Sequence, residues 1–264
     1  MAGRTVNRMS RLLMAVLALL VIGVALAVLA FQQWRAGKHA LLEVPPAQAL
    51  ATGTPAAPAS LLLFGDSRIA HWDPRPQRPY PIVVNGTPGA SAIQLVPAFQ
   101  AALAQYRPTQ VLLQVGANDA VAAALSDAAV ASRAQADARA AIDRMAAAAR
   151  AMGAQLVIIE VIPPVRTDPV RRMLFGGRVT RFIDDLNAAL PEIARRNGAT
   201  FVSARPLLAP NGTMPDRFRQ DWLHLTPKAY RALDPLLPPT LDGPAPYSMD
   251  ASTGWPSSTR PASS

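Results

Sequence analysis

The sequence contains no cysteine. Disulfides and thiolate metal sites are therefore excluded, although the compartment is not, since an exported protein does not require cysteine. Histidine is almost as scarce: His39, His71 and His224 are the three present, and any imidazole chemistry must use one of them. With so few ligating side chains, neither a metal nor a cofactor is expected. Acidic residues are few, 17 against 26 basic ones, and none precedes Glu43. What is plentiful is apolar: half of the 264 residues, enough for the core of one sizeable domain with appendages.

The formal net charge of +9 raises the possibility of nucleic acid. Its placement points elsewhere. Arg4, Arg8, Arg11, Arg35 and Lys38 all flank one hydrophobic run, which leaves 21 basic and 17 acidic residues for the rest of the chain. No recognition motif accompanies the charge, so no nucleic-acid partner is expected.

Residues 12–31 read LLMAVLALLVIGVALAVLAF, 20 residues without a charge. At ~1.5 Å per residue this run spans the ~30 Å hydrocarbon core of a bilayer. Three arginines precede it, two basic residues follow, and Trp34 stands where an interfacial aromatic belongs. The expectation is a single anchor, with the amino terminus in the cytoplasm and the bulk of the chain outside it. A cleaved signal peptide is the rival, because Ala25-Leu26-Ala27 offers an A-x-A-like site. However, the run exceeds the usual ~7–15-residue apolar region of a signal. Either reading exports the domain.

The chain divides into a basic end with its anchor (1–34), an Ala/Pro-rich tether (35–58), a folded domain (59–237) and a Pro/Ser/Gly/Thr tail without a core (238–264). Within the folded part, short apolar runs at 60–64, 80–84, 110–115, 155–161 and 200–203 predict strands. Helical stretches are expected at 91–105, 126–152, 176–197 and 227–235, with Gly153 and Gly198 as helix stops. Alternating strands and helices imply an α/β fold: a three-layer parallel sheet with helices on both faces.

Ligands of such sheets gather at the carboxyl ends of the strands. There the sequence places Gly65-Asp66-Ser67 after the first strand, Asn85-Gly86-Thr87-Pro88-Gly89 after the second and Gly116-Ala117-Asn118-Asp119 after the third. Asp221-Trp222-Leu223-His224 comes just before the last helix. Each segment alone has a bland reading: a turn, a tight loop, a helix cap, a surface histidine. In this order and at these positions they should converge on one rim.

Together they resemble the SGNH (GDSL-type) hydrolase family over roughly 59–235, with FGDSR at 64–68, NGTPG at 85–89, VGAND at 115–119 and DWLHL at 221–225. The resemblance implies the flavodoxin-like sheet of that family and ester chemistry on a serine. Ser67 is the expected nucleophile, exposed by a strand-to-helix turn, although a serine there can also be a helix N-cap. His224 is the one histidine with a carboxylate three residues before it; Asp221 would hold its Nδ1 and leave Nε2 to take the serine proton. The oxyanion donors would be the Ser67 and Gly89 backbone N–H groups and the Asn118 amide, with Gly86 left as a rival to Gly89. Asp66 and Asp119 read as loop braces. His71 and Trp72 either line the cleft or pack.

Three functions follow. One is an extracytoplasmic esterase or deacylase acting on an ester-bearing small molecule, glycan or lipid. Another is an O-acyltransferase that hands the same acyl group to an envelope polysaccharide. The last is an envelope protein that keeps the fold without catalysis. The basic stretch 166–181, with Arg166, Arg171, Arg172, Arg178 and Arg181, is either a solvated loop or a preference for anionic substrates.

Overall fold

The structure, a computed structural model, describes residues 2–43, 60–74, 80–162, 169–210 and 214–237. The expected tail and most of the expected tether lie outside the described residues. The chain separates into two compact units, Met1–Ala40 and Leu41–Ser264.

The first unit is one helix, α1, Ala2–His39. It runs past Trp34, where the tether was expected to begin. Arg35, Ala36 and Lys38 are good helix formers, and the first proline comes only at Pro45. Within α1 lies a stretch long and apolar enough to cross a membrane.

The second unit holds five parallel strands, β1 Leu61–Gly65, β2 Ile82–Gly86, β3 Gln110–Gln114, β4 Gln155–Ile159 and β5 Thr200–Val202, in the order β2-β1-β3-β4-β5. This is the flavodoxin-like doubly wound order. The strands fall within two residues of their expected bounds, and the differences have physical causes. Pro81 has no N–H; its carbonyl accepts from Ser60 and Leu61, and β2 starts after it. Asn187 binds both the N–H and the C=O of Val161 (2.9 and 2.7 Å), which takes that residue off the β4 ladder.

Alternation along β1 makes the three layers. Leu62 and Phe64 face one core, and Leu61 and Leu63 face the other. On the first face pack α3 (Ala92–Tyr106), α4 (Ala117–Ala124), α5 (Ala128–Ala151) and α7 (Arg178–Arg196). The second face carries α2 (Ser67–Ala70), α8 (Arg205–Leu208) and α9 (Pro227–Leu233). The expected helix 126–152 is α5, started by Asp127, whose carboxylate accepts from Val130 N–H at 2.9 Å. Gly153 and Gly198 follow α5 and α7 with φ of 74° and 65°, as helix stops require. A short helix α6, Pro169–Phe175, precedes α7.

Candidate active site

β1 delivers its carboxyl end straight into α2. Asp66 is the N-cap, accepting from Arg68 N–H at 3.0 Å, so Ser67 is the first helical residue and not the cap. Its Oγ lies 3.1 Å from His224 Nε2. His224 Nδ1 lies 2.8 Å from Asp221 Oδ2. The three expected residues therefore form one continuous relay, drawn from two segments 157 positions apart.

The loop that carries Asp221 and His224 is held from several sides. Asp221 Oδ1 accepts from the backbone N–H groups of Leu223 and His224, both at 2.7 Å. Gln220 N–H bonds the His224 carbonyl, and an isolated antiparallel bridge joins Arg219 to Leu225. Thr226 caps α9, accepting from Ala229 N–H at 3.3 Å, and its hydroxyl donates to Arg217 O at 2.7 Å. From beneath, the guanidinium of Arg68 donates Nε–H and Nη2–H to the Leu223 carbonyl at 3.1 and 3.0 Å. Arg68 is 2% exposed, and its Nη1 has no partner. Sequence reasoning passed over this brace. Its signal was a cation directly after Ser67, in a turn that follows an apolar strand.

Trp222 stacks on Phe175 of α6 (5.3 Å, 12° between planes), and the Arg171 guanidinium lies 5.2 Å from the indole centroid. Thus part of the basic stretch does reach the histidine loop, whereas Arg166 lies outside the described residues. Arg178 instead donates to the Leu174 and Phe175 carbonyls. The two residues after α2 part company. Trp72 turns inward, donating Nε1–H to Asp234 at 3.1 Å and stacking on Tyr230. His71 stays exposed, its ring edge-to-face with that of His224 at 5.5 Å.

The oxyanion candidates are the Ser67 and Gly89 N–H groups and the Asn118 amide. Among the described residues nothing accepts from the backbone N–H of Ser67 or of Gly89. Asn118, in the first turn of α4, donates one amide hydrogen to Ala90 O at 3.0 Å and keeps a second. The two glycines of the second block differ. A Cβ on Gly86 would fall 2.2 Å from Ala70 N, so that glycine is required for α2 to sit against β2. Gly89 has φ of +82° and open space where a side chain would go. Packing accounts for Gly86, whereas no neighbour crowds Gly89.

Burial sets the charges around this core. It pushes the Asp66 carboxyl up, against the pull of Arg68 and of the backbone N–H groups of Arg68 and Ala117. Asp119 receives the Ala92 N–H on both oxygens (3.1 and 3.0 Å), which ties the β2–α3 loop to α4, and burial raises it to about 7. At Asp221 partial desolvation pushes up, but the hydrogen bonds from His224 and Leu223 outweigh it and hold the carboxyl below its ordinary value. Among the described residues no group of three His, Cys, Asp or Glu side chains could hold a metal ion. A groove of about 570 Å³ between α5 and α7 is lined by none of Ser67, Asp221 and His224, whereas a small depression is bordered by Arg68, Asp221, Trp222 and His224.

This architecture recurs among solved structures. A GDSL-like lipase from Bacteroides thetaiotaomicron superposes with a TM-score of 0.54 at 20% identity, over 71% of this chain and 89% of the other. A member of the lipolytic G-D-S-L family from Veillonella parvula gives 0.50 at 13%, over 67% and 94%. A carbohydrate acetylesterase from Sinorhizobium meliloti gives 0.50 at 16%, over 66% and 94%. No curated protein matches the sequence. The model of the GDSL-like lipase/acylhydrolase family matches residues 55–232, most of the chain and all four blocks. The chain belongs to the GDSL-like lipase/acylhydrolase family and is an ester-hydrolysing enzyme.

Proposed function

We propose that this enzyme is a membrane-anchored serine ester hydrolase whose catalytic domain works outside the cytoplasm, through an acyl-enzyme on Ser67. The observation that carries the reading is the unbroken relay from Ser67 Oγ through His224 to Asp221. His224 Nε2 takes the hydroxyl proton as Oγ attacks the ester carbonyl, and Asp221 fixes the tautomer that leaves Nε2 free to accept. The carbonyl oxygen, now negative, is met by the Ser67 and Gly89 N–H groups and the Asn118 amide, each worth on the order of 3–4 kcal/mol in comparable sites. His224 then returns the proton to the departing alkoxide. Water, activated by the same imidazole, releases the acid and restores Ser67. A sugar hydroxyl in place of that water would make the enzyme an acyltransferase with the same residues.

A fluorophosphonate probe should label the full-length protein covalently, and Ser67→Ala should abolish the label. Persistent labelling of that variant at a second serine would sink the assignment.

A further inference from the structure

We infer that His71 receives the alcohol half of the ester, and that this alcohol carries a hydroxyl beside the ester oxygen, as a polyol or sugar does. The inference rests on the acyl-enzyme reading above and adds the side of the substrate that this reading leaves unassigned.

Position comes first. His71 is the C-cap of α2, one turn after Ser67, with its backbone N–H on the Ser67 carbonyl at 3.1 Å. The helix thereby presents the nucleophile and the second imidazole from the same short element. The His71 ring meets the His224 ring edge-to-face at 5.5 Å and is solvent-exposed. Neither ring nitrogen has a hydrogen-bond partner among the described residues, in contrast to Trp72 next to it, which is buried and bonded to Asp234. Packing therefore accounts for Trp72 and leaves His71 without a structural task.

The stereochemistry of acyl transfer says what lies beside it. In the tetrahedral intermediate the carbon bears Ser67 Oγ, the oxyanion, the acyl chain and the alkoxy group. On the acyl-enzyme reading above, the oxyanion would face the Gly89 N–H and the Asn118 amide. When the C–O bond to the alkoxy group breaks, its electron pair stays on that oxygen, which takes the proton from His224 Nε2. The alkoxy oxygen must therefore lie within hydrogen-bond reach of Nε2. The His71 ring, exposed and edge-to-face with that of His224, is the neighbour such an alcohol would meet. Neutral imidazole offers one donor and one acceptor, a match for a hydroxyl that both gives and takes a hydrogen bond and no match for a plain alkyl or aryl group.

The test keeps the acyl group constant and varies the alcohol. Full-length enzyme in detergent is assayed with aryl esters to find the acyl group turned over fastest, and then with the ethyl, glyceryl and glucosyl esters of that acid. His71→Ala should raise KM for the glyceryl and glucosyl esters about five- to tenfold, the value of one uncharged hydrogen bond. It should leave kcat, the aryl and ethyl esters and the melting temperature unchanged. His71→Gln, which keeps a donor and an acceptor, should recover part of the loss. Equal effects on all esters, no effect on any, or a wild-type enzyme indifferent between ethyl and glyceryl esters would each overturn the inference. Ser67→Ala, run alongside, separates the two claims: residual turnover there counts against the acyl-enzyme, whereas a dead Ser67→Ala with an unaltered His71→Ala counts against His71 alone. No turnover of any aryl ester overturns both.

Discussion

The two oxygens of Asp221 do different things, and this makes the residue a sharp probe of the relay. Oδ1 takes two backbone N–H groups, and Oδ2 faces His224 Nδ1. In Asp221→Asn the amide oxygen must stay on the backbone donors, so the NH2 group turns toward Nδ1. That nitrogen must then accept, the ring proton moves to Nε2, and the imidazole cannot take the Ser67 proton. The expected result is a folded enzyme with kcat lower by on the order of 10⁴. His224→Ala should be as inactive as Ser67→Ala, because the members of such a relay act as a unit. Steady-state turnover of an aryl ester, with thermal melts to verify folding, checks both. Near-wild-type turnover in Asp221→Asn would mean that the loop positions His224 without the carboxylate.

At the scale of elements, the site depends on how α4 and the β2–α3 loop are tied together, and Asp119 is that tie. Its carboxyl is raised from 3.8 to about 7, so between those values the folded protein binds a proton that the unfolded chain has already released. Stability therefore falls as pH rises from about 4 to about 7. Buried Asp66, also raised, adds a loss of the same sign above its ordinary value. Asp221, lowered, acts in the other direction: its contribution is present above about 3.8 and is lost only in stronger acid. Asp119→Asn keeps an acceptor for Ala92 N–H and removes the titration. Its melting temperature should therefore decline less than that of the wild type between pH 4 and 7, by roughly ten degrees at about 1.4 kcal/mol per pKa unit and about 2–4 °C per kcal/mol for a domain of this size. Identical slopes in the two proteins would show that Asp119 stays ionised when buried.

The same element shows what a sequence can and cannot display. The strands were legible because each is a short apolar run closed by a turn, and α5 and α7 because they are long and capped. α4 was not expected, since all eight of its residues are buried and five of them are alanine. With no polar face it has no period to detect. The three hydrogen-bonded residues stood out by their order along the chain, Ser67 at a strand end and His224 with Asp221 before it. Arg68 did not, because its partner is a carbonyl 155 positions away that no local pattern announces. The contact of His71 with His224 was hidden for the same reason, since it arises only when α2 meets the histidine loop.

For the molecule as a whole, the decisive feature is α1. Its apolar side chains stand bare: Leu13, Leu17, Leu19 and Leu20 are between 61% and 71% exposed. A water-soluble protein does not leave a continuous apolar surface of this kind uncovered. On the anchor reading proposed above, a bilayer would cover it and the basic residues at both ends would hold it in register. With three basic residues before the run and two after it, charge favours a cytoplasmic amino terminus. That orientation would put the ester chemistry on the far side of the membrane, where envelope glycans and lipids are the esters within reach. A reporter active only outside the cytoplasm, fused after residue 240, should therefore be active. The chain should also resist carbonate extraction and keep its full mass of 28.0 kDa. A shortened, carbonate-soluble species beginning after Ala27 would replace the anchor with a cleaved signal and leave the export standing; an inactive reporter would overturn the export itself.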